Sequence, residues 1–96
     1  MEGLKITRHD EGASGEYHAH VPGSEAIGRL TWVARGQTRV AEHTLVPPAI
    51  GGRGIAARLV EAMVEDAREQ DFRIVPACSY VAVAFQRHPE WAELRA

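Results

Sequence analysis

The chain predicts an α/β (α+β) fold, a mostly antiparallel sheet with one parallel crossover and two helices, and three observations carry that reading. Apolar and polar residues alternate through four short segments in the first half, separated by Gly, Pro and Ser clusters, which is the pattern of half-buried strands joined by turns. A glycine-rich turn then opens a long amphipathic helix. A short apolar strand follows, and strand, helix, strand implies a parallel crossover.

Taken in order, Leu4 to Arg8 alternates as a strand, and a Gly/Ser-containing break from Glu11 to Gly15 leads to a second strand at Glu16 to Val21. Pro22-Gly23-Ser24 turns the chain. Ala26 to Ala34 carries the β-formers Ile27, Leu30, Thr31, Trp32 and Val33, Arg35-Gly36-Gln37 reads as a tight connection, and Thr38 to Val46 resumes the strand pattern. Four sequential strands make an antiparallel meander. From Gly54 to about Gln70, Ile55, Leu59, Met63 and Ala67 recur at four-residue spacing beside Val60 and Val64, while Arg58, Glu61, Glu65, Arg68 and Glu69 occupy the opposite side. Phe72 to Val75 is a short strand, Pro76 to Ser79 a loop, and Tyr80 to Arg87 a second helix ended by Pro89.

With 96 residues, the chain holds a single domain spanning 1–96 and one modest core. Its composition, 45% hydrophobic and 25% charged, is that of an ordinary globular protein. A net charge of -2 and the lack of a basic run argue against a nucleic-acid partner. Basic residues are ten arginines and Lys5, a bias that suits bidentate phosphate contacts and also follows from codon usage. The single cysteine, Cys78, allows no intrachain disulfide, and Met1-Glu2-Gly3-Leu4-Lys5 lacks a secretory pattern. The longest apolar run, Tyr80 to Phe85, is far shorter than the ~20 residues a bilayer requires. A cytoplasmic protein with no membrane partner is expected.

The most informative segment runs from Glu42 through Pro47-Pro48-Ala49-Ile50-Gly51-Gly52-Arg53-Gly54-Ile55-Ala56. A strand here delivers a glycine turn to a helix start, whose first amides have no acceptor in the chain and whose end is electropositive. Ser, Thr, Asn or Asp usually caps such an end, yet the candidates are Gly51, Gly52 and Arg53. An anion, most often phosphate, suits it. Gly52-Arg53-Gly54-Ile55-Ala56-Ala57 satisfies G-x-G-x-x-A, but a dinucleotide fold wants an acid at the end of the next strand, where Pro76-Ala77-Cys78 stands. A Walker loop is excluded because no Gly-Lys-Ser/Thr follows.

Val46-Pro47-Pro48 leading to Arg53-Gly54-Ile55-Ala56 resembles the acyl-CoA pyrophosphate loop of GNAT-type N-acetyltransferases, Arg/Gln-x-x-Gly-x-Gly/Ala. The string His43 to Pro48, with Cys78 and Arg87-His88-Pro89-Glu90-Trp91, is similar to the minimal GNAT-like family of about one hundred residues. The match covers about residues 25 to 94. It implies a reduced GNAT-like acyl-CoA N-acyltransferase fold, acetyl-CoA (coenzyme A) as cofactor, and two strands splayed apart around its pantetheine arm. Cofactor contacts then fall on Val46, Gly51, Gly52, Arg53, Gly54, Ile55 and Ala56, with Arg87 and His88 within reach of the coenzyme. Three positions depart from the family pattern. Gly51 stands at the Arg/Gln position, Leu45 where an acid is common, and Ala84 where a tyrosine is expected, with Tyr80 one turn earlier on the same face.

Acyl transfer to an amine needs a base and a donor for the carbonyl oxygen or departing thiolate. His43, on the strand entering the loop, suits the base, and equally reads as a half-buried histidine hydrogen-bonded within the sheet. Cys78, just before a helix, can be a nucleophile with a depressed pKa, or a small hydrophobe at a strand end. Tyr80 can hydrogen-bond the leaving thiolate or simply pack. Arg87 is equally a solvated cation, and Trp91 a core plug. His18 and His20 share a strand face, and with no further ligand in view they read as solvent-exposed; His9 carries no signal and no metal is assigned.

The expected function is acyl-CoA-dependent N-acyl transfer, with a non-catalytic CoA-binding or regulatory module as the alternative. The partner is an amine acceptor, small molecule or protein lysine. The chain is expected to be a monomer or a homodimer, with Trp32 or the strand edges as the pairing surface of a dimer.

Overall fold

Strands β1 (Lys5–Asp10), β2 (Ser14–His20), β3 (Ile27–Arg35), β4 (Thr38–Leu45) and β5 (Arg73–Pro76) form one sheet in chain order. The computed structural model describes residues 3–96; Met1 and Glu2, part of the segment read above for a secretory pattern, lie outside the described residues. β1 to β4 pair antiparallel, and β5 returns parallel to β4 after helix α1 (Ile55–Gln70). Helix α2 (Ser79–Arg87) completes the regular elements. The mixed sheet with its single crossover is the predicted fold class. No helix among the described residues is long and apolar enough to cross a membrane.

Two 3-10 helices, Pro48–Ile50 and Pro89–Leu94, occupy stretches read as loop and motif. Each starts on a proline, whose fixed φ and missing N–H suit a first helical position. The strand pattern also conceals a bulge. Thr31 pairs with His43 but Trp32 pairs with Ala41, so Glu42 is an extra residue in β4 and inverts the alternation beyond it.

The core lies between one sheet face and the helices. Tyr17, Ala19, Leu30 and Trp32 point inward from β2 and β3 to meet Ile55, Leu59, Met63 and Ala67, the stripe that the four-residue spacing in α1 predicts. At Gly28 the helix approaches so closely that a Cβ would lie 3.0 Å from Ile55 Cγ2. Asp66, 4% exposed, anchors α1 to the meander by accepting hydrogen bonds from the Tyr17 hydroxyl at 2.8 Å and from Arg8 Nε at 2.8 and 3.1 Å. Trp32 is not the surface residue expected for pairing. It is 3% exposed and covered by the Arg39 guanidinium, which sits 4.1 Å from both its ring centroid and that of Phe72.

α1, α2 and the C-terminal 3-10 helix pack against one another on this one face. Thr7, His9, Glu16, His18, Arg29, Thr31 and His43 fall on the other, where no helix lies among the described residues.

Candidate functional site

The turn before α1 keeps its amides available. Gly52 and Gly54 adopt φ of 73° and 71°, a left-handed conformation that glycine takes without Cβ strain, and they swing the chain around into the helix. Gly54 is the N-cap of α1; no side chain caps it and no acid lies in the first turn. The turn's own hydrogen bonds end with Ile50 to Pro47 and Gly51 to Pro48, and the helix ladder begins with Arg58 N–H to Gly54 C=O at 3.3 Å. Between them the amides of Gly52, Arg53, Gly54, Ile55 and Ala56 meet no acceptor among the described residues. A Cβ added at Gly52 or Gly54 would meet nothing within 4 Å, so this end is open to an incoming group. The donor set fits a diphosphate by chemistry and by access.

Beside this turn the sheet comes apart. β4 and β5 pair only from Thr38↔Arg73 to Ala41↔Pro76, and Cys78 N–H closes the pairing by donating to Ala41 C=O at 3.0 Å. The chain then departs into α2, while β4 runs on to Leu45 bonded to β3 alone. Glu42 to Leu45 therefore present an unpaired backbone edge leading toward Val46 and the glycine turn.

Cys78 stands at the apex of this split, as the N-cap of α2. Its sulfur is 3.5 Å from Thr44 Oγ1. Partial burial pushes the thiol pKa up, but the Thr44 hydroxyl and the amides of Val81, Tyr80 and Thr44 favour the thiolate more strongly and hold it below the ordinary value. None of these α2 amides forms a full capping bond to the sulfur. Cys78 also packs against the core, so the two sequence readings of it are compatible.

A cleft of about 120 Å³ separates α1 from α2, lined by Ala57, Val60, Tyr80, Ala84, Arg87, His88 and Trp91. It starts one residue after the open amides. Tyr80, 42% exposed, and Ala84 share this wall, as their four-residue spacing predicts. His88 stacks on Trp91 with ring centroids 4.0 Å apart, and its Nδ1 is 2.9 Å from Glu90 Oε2. Trp91 is buried, as a core plug should be.

His43 stands apart from this group. It is exposed and makes no side-chain hydrogen bond among the described residues, which corrects the reading of a half-buried histidine bonded within the sheet. Consecutive strand residues face opposite ways; Thr44 faces Cys78, so His43 faces the helix-free side, beside Thr31. The Thr31 hydroxyl is buried without a partner.

His18 and His20 differ from their sequence reading as well. Both are partly buried, His18 with 16% of its side chain exposed, and His9 supplies the further ring that was not in view. The signal was the β1–β2 register, which sets His9 opposite Glu16, diagonal to His18.

The family model described as GCN5-related N-acetyl-transferase matches residues 16–94. The fold is similar to the solution NMR structure of a "GCN5-like putative N-acetyltransferase" from Staphylococcus aureus, with TM-score 0.71 and 22% identity, covering 100% of this chain and 91% of that one.

Proposed function

Because the chain belongs to the GCN5-related N-acetyltransferase family, we propose that it takes an acetyl group from acetyl-CoA and passes it to an amine. The observation that carries this reading is the run of unaccepted amides from Gly52 to Ala56, which the chain reaches a few residues after the open edge of β4. Those amides receive the diphosphate, Gly51 and Val46 flank it, and Arg53 adds charge. The Glu42–Leu45 edge bonds the amide-bearing arm much as an added strand would be bonded. Arg87 and His88 flank the coenzyme along the helix cleft.

Bound acetyl-CoA supplies the activated thioester, and the remaining chemistry belongs to the chain. Cys78, with its lowered pKa, attacks the acetyl carbonyl through Sγ, and the Tyr80 hydroxyl hydrogen-bonds the departing sulfur. His43 faces the helix-free side and removes a proton from the incoming ammonium there; the neutral amine then attacks the acetyl-Cys78 carbonyl and gives its next proton to the departing Cys78 sulfur. The acceptor reaches His43 from the open face and is a small amine or a protein lysine. A working thiolate fits a reducing cytoplasm.

Specific observations favour the second reading, a CoA-binding module without turnover: Leu45, 57% exposed, offers no acid beside the split, and Ala84 offers no hydroxyl in the cleft.

Thermal unfolding with acetyl-CoA tests the shared premise. Ligand at a hundred times its dissociation constant stabilises by about 2.7 kcal/mol, and an unshifted transition refutes both readings. Release of CoA thiol in the presence of amines separates the enzyme from the module. Intact mass after incubation with acetyl-CoA alone is expected to show one acetyl group on Cys78; amine turnover by unmodified protein leaves direct attack in its place.

A further inference from the structure

The helix-free face carries a cluster that the proposed transfer does not use. β1 and β2 pair with Lys5 opposite His20, Thr7 opposite His18 and His9 opposite Glu16. Opposed residues of an antiparallel pair share a face, as do residues two apart on one strand. His9, His18 and His20 converge accordingly, and one ring nitrogen from each lies within 4.8 Å of the other two. The His9 and His18 ring centroids are 4.0 Å apart. Around them is an ordered polar shell: Thr7 Oγ1 is 2.9 Å from His9 Nε2 and 2.8 Å from His20 Nε2, and Glu16 Oε1 is 2.8 Å from His18 Nε2.

We propose that His9, His18 and His20 form a binding site for a divalent transition-metal ion of the zinc class, separate from the acyl-transfer site. Three imidazoles and one water make the ligand set of an open tetrahedral centre, and imidazole suits zinc, copper and nickel. Glu16 supplies what such a site needs behind its ligands. Its carboxylate accepts the His18 Nε2 proton, which leaves the lone pair on Nδ1, fixes the ring and raises its basicity. The Thr7 oxygen has two lone pairs and accepts from Nε2–H of both His9 and His20, which leaves a lone pair on each Nδ1 for the ion and orients both rings.

The geometry needs only side-chain motion to close. Nitrogens around a tetrahedral zinc with bonds of about 2.0–2.1 Å stand roughly 3.4 Å apart, so no pair of rings need draw in by more than about 1.4 Å. His9 is exposed, so its ring has room to shift toward the ion, while the β1–β2 ladder holds the backbone in register. Lys5 and Arg29 are the cations opposite or beside these histidines in the strand register, with Arg35 and Arg73 farther along the same face; Arg29 Nη1 lies 3.5 Å from Glu16 Oε1, which offsets its charge. Two ligands come from the inner strand and one from β1, the sheet's edge strand, so a bound ion clips the edge to its neighbour.

Isothermal titration of the untagged, EDTA-treated chain with zinc chloride at pH 7.5 tests this. Saturable one-to-one binding is expected, weakened more than about tenfold in each of His9→Ala, His18→Ala and His20→Ala, and by about 10 to 100-fold in Glu16→Gln. Cys78→Ser and His88→Ala should bind zinc like the parent. Ring nitrogen NMR of the unsubstituted protein gives a readout that needs no variant to fold: zinc should shift His9, His18 and His20 and leave His43 and His88 in place. Absence of saturable binding, binding that disappears in Cys78→Ser, or unmoved resonances of the three rings would overturn the site.

Discussion

Tyr17, hydrogen-bonded to Asp66, makes the stability of this domain depend on pH on the alkaline side. Burial, and then the hydrogen bond donated to Asp66, push the Tyr17 phenol far above its ordinary value near 10. The folded chain therefore keeps a proton that the unfolded chain loses, so the stabilisation is complete below about pH 10 and is lost as pH rises through the window above it. Urea unfolding should show a midpoint that falls between pH 9 and pH 11, and Tyr17→Phe, weaker at neutral pH, should fall less steeply. Cys78 is a second residue-scale test. Its iodoacetamide reaction should titrate below a free cysteine thiol, and Thr44→Val, which removes the hydroxyl 3.5 Å away, should move the inflection up. The residue types of both sites stand in the sequence, but their partners do not. Asp66 lies 49 residues from Tyr17 and Cys78 lies 34 from Thr44, and only the packing of α1 on the sheet and the β4–β5 pairing bring these groups together. Trp32 was misread for the same reason, since Arg39 covers it from the next strand.

Among the elements, the start of α1, where the proposed coenzyme contacts fall, was the most legible, because strand, glycine turn and uncapped amphipathic helix are all local features. The five strands and two helices fall close to their expected limits, since alternation and four-residue spacing report burial directly. The β4 bulge and the 3-10 helices were not legible: one extra residue leaves no mark on so short an alternation, and three to six residues carry no period. Substitutions at Gly54 separate geometry from charge. Gly54→Ala forces a Cβ into φ 71° at a cost of about 1 kcal/mol and should retain acetyl-CoA binding, because its amide is unchanged. Gly54→Glu, with similar backbone strain, adds a carboxylate at the diphosphate and should lower affinity more than tenfold. Equal affinities for the two variants in a titration would mean that the phosphates lie elsewhere.

For the molecule as a whole, the last eight residues tie the helix cleft to the core. Trp91 and Leu94 are buried, Trp91 meets Phe85 edge-on at 5.6 Å, and Ala96 N–H donates to Ile74 C=O at 2.9 Å, covering the β5 edge. The Trp91 ring thus closes the core and also backs His88 in the cleft, so stability and coenzyme affinity should fall together when it is cut away. Trp91→Ala should lose about 3–5 kcal/mol, a large share of the 5–15 kcal/mol typical of a domain. In a domain of this size that lowers the melting temperature by about 12 °C or more. The two roles separate on adding acetyl-CoA. A purely structural Trp91 leaves the ligand-induced shift in free energy at its parent value, whereas a ring that also positions His88 makes it smaller. The smaller shift is expected, because His88 loses the face 4.0 Å beneath it while the amides of Gly52 to Ala56, at the other end of the cleft, are untouched.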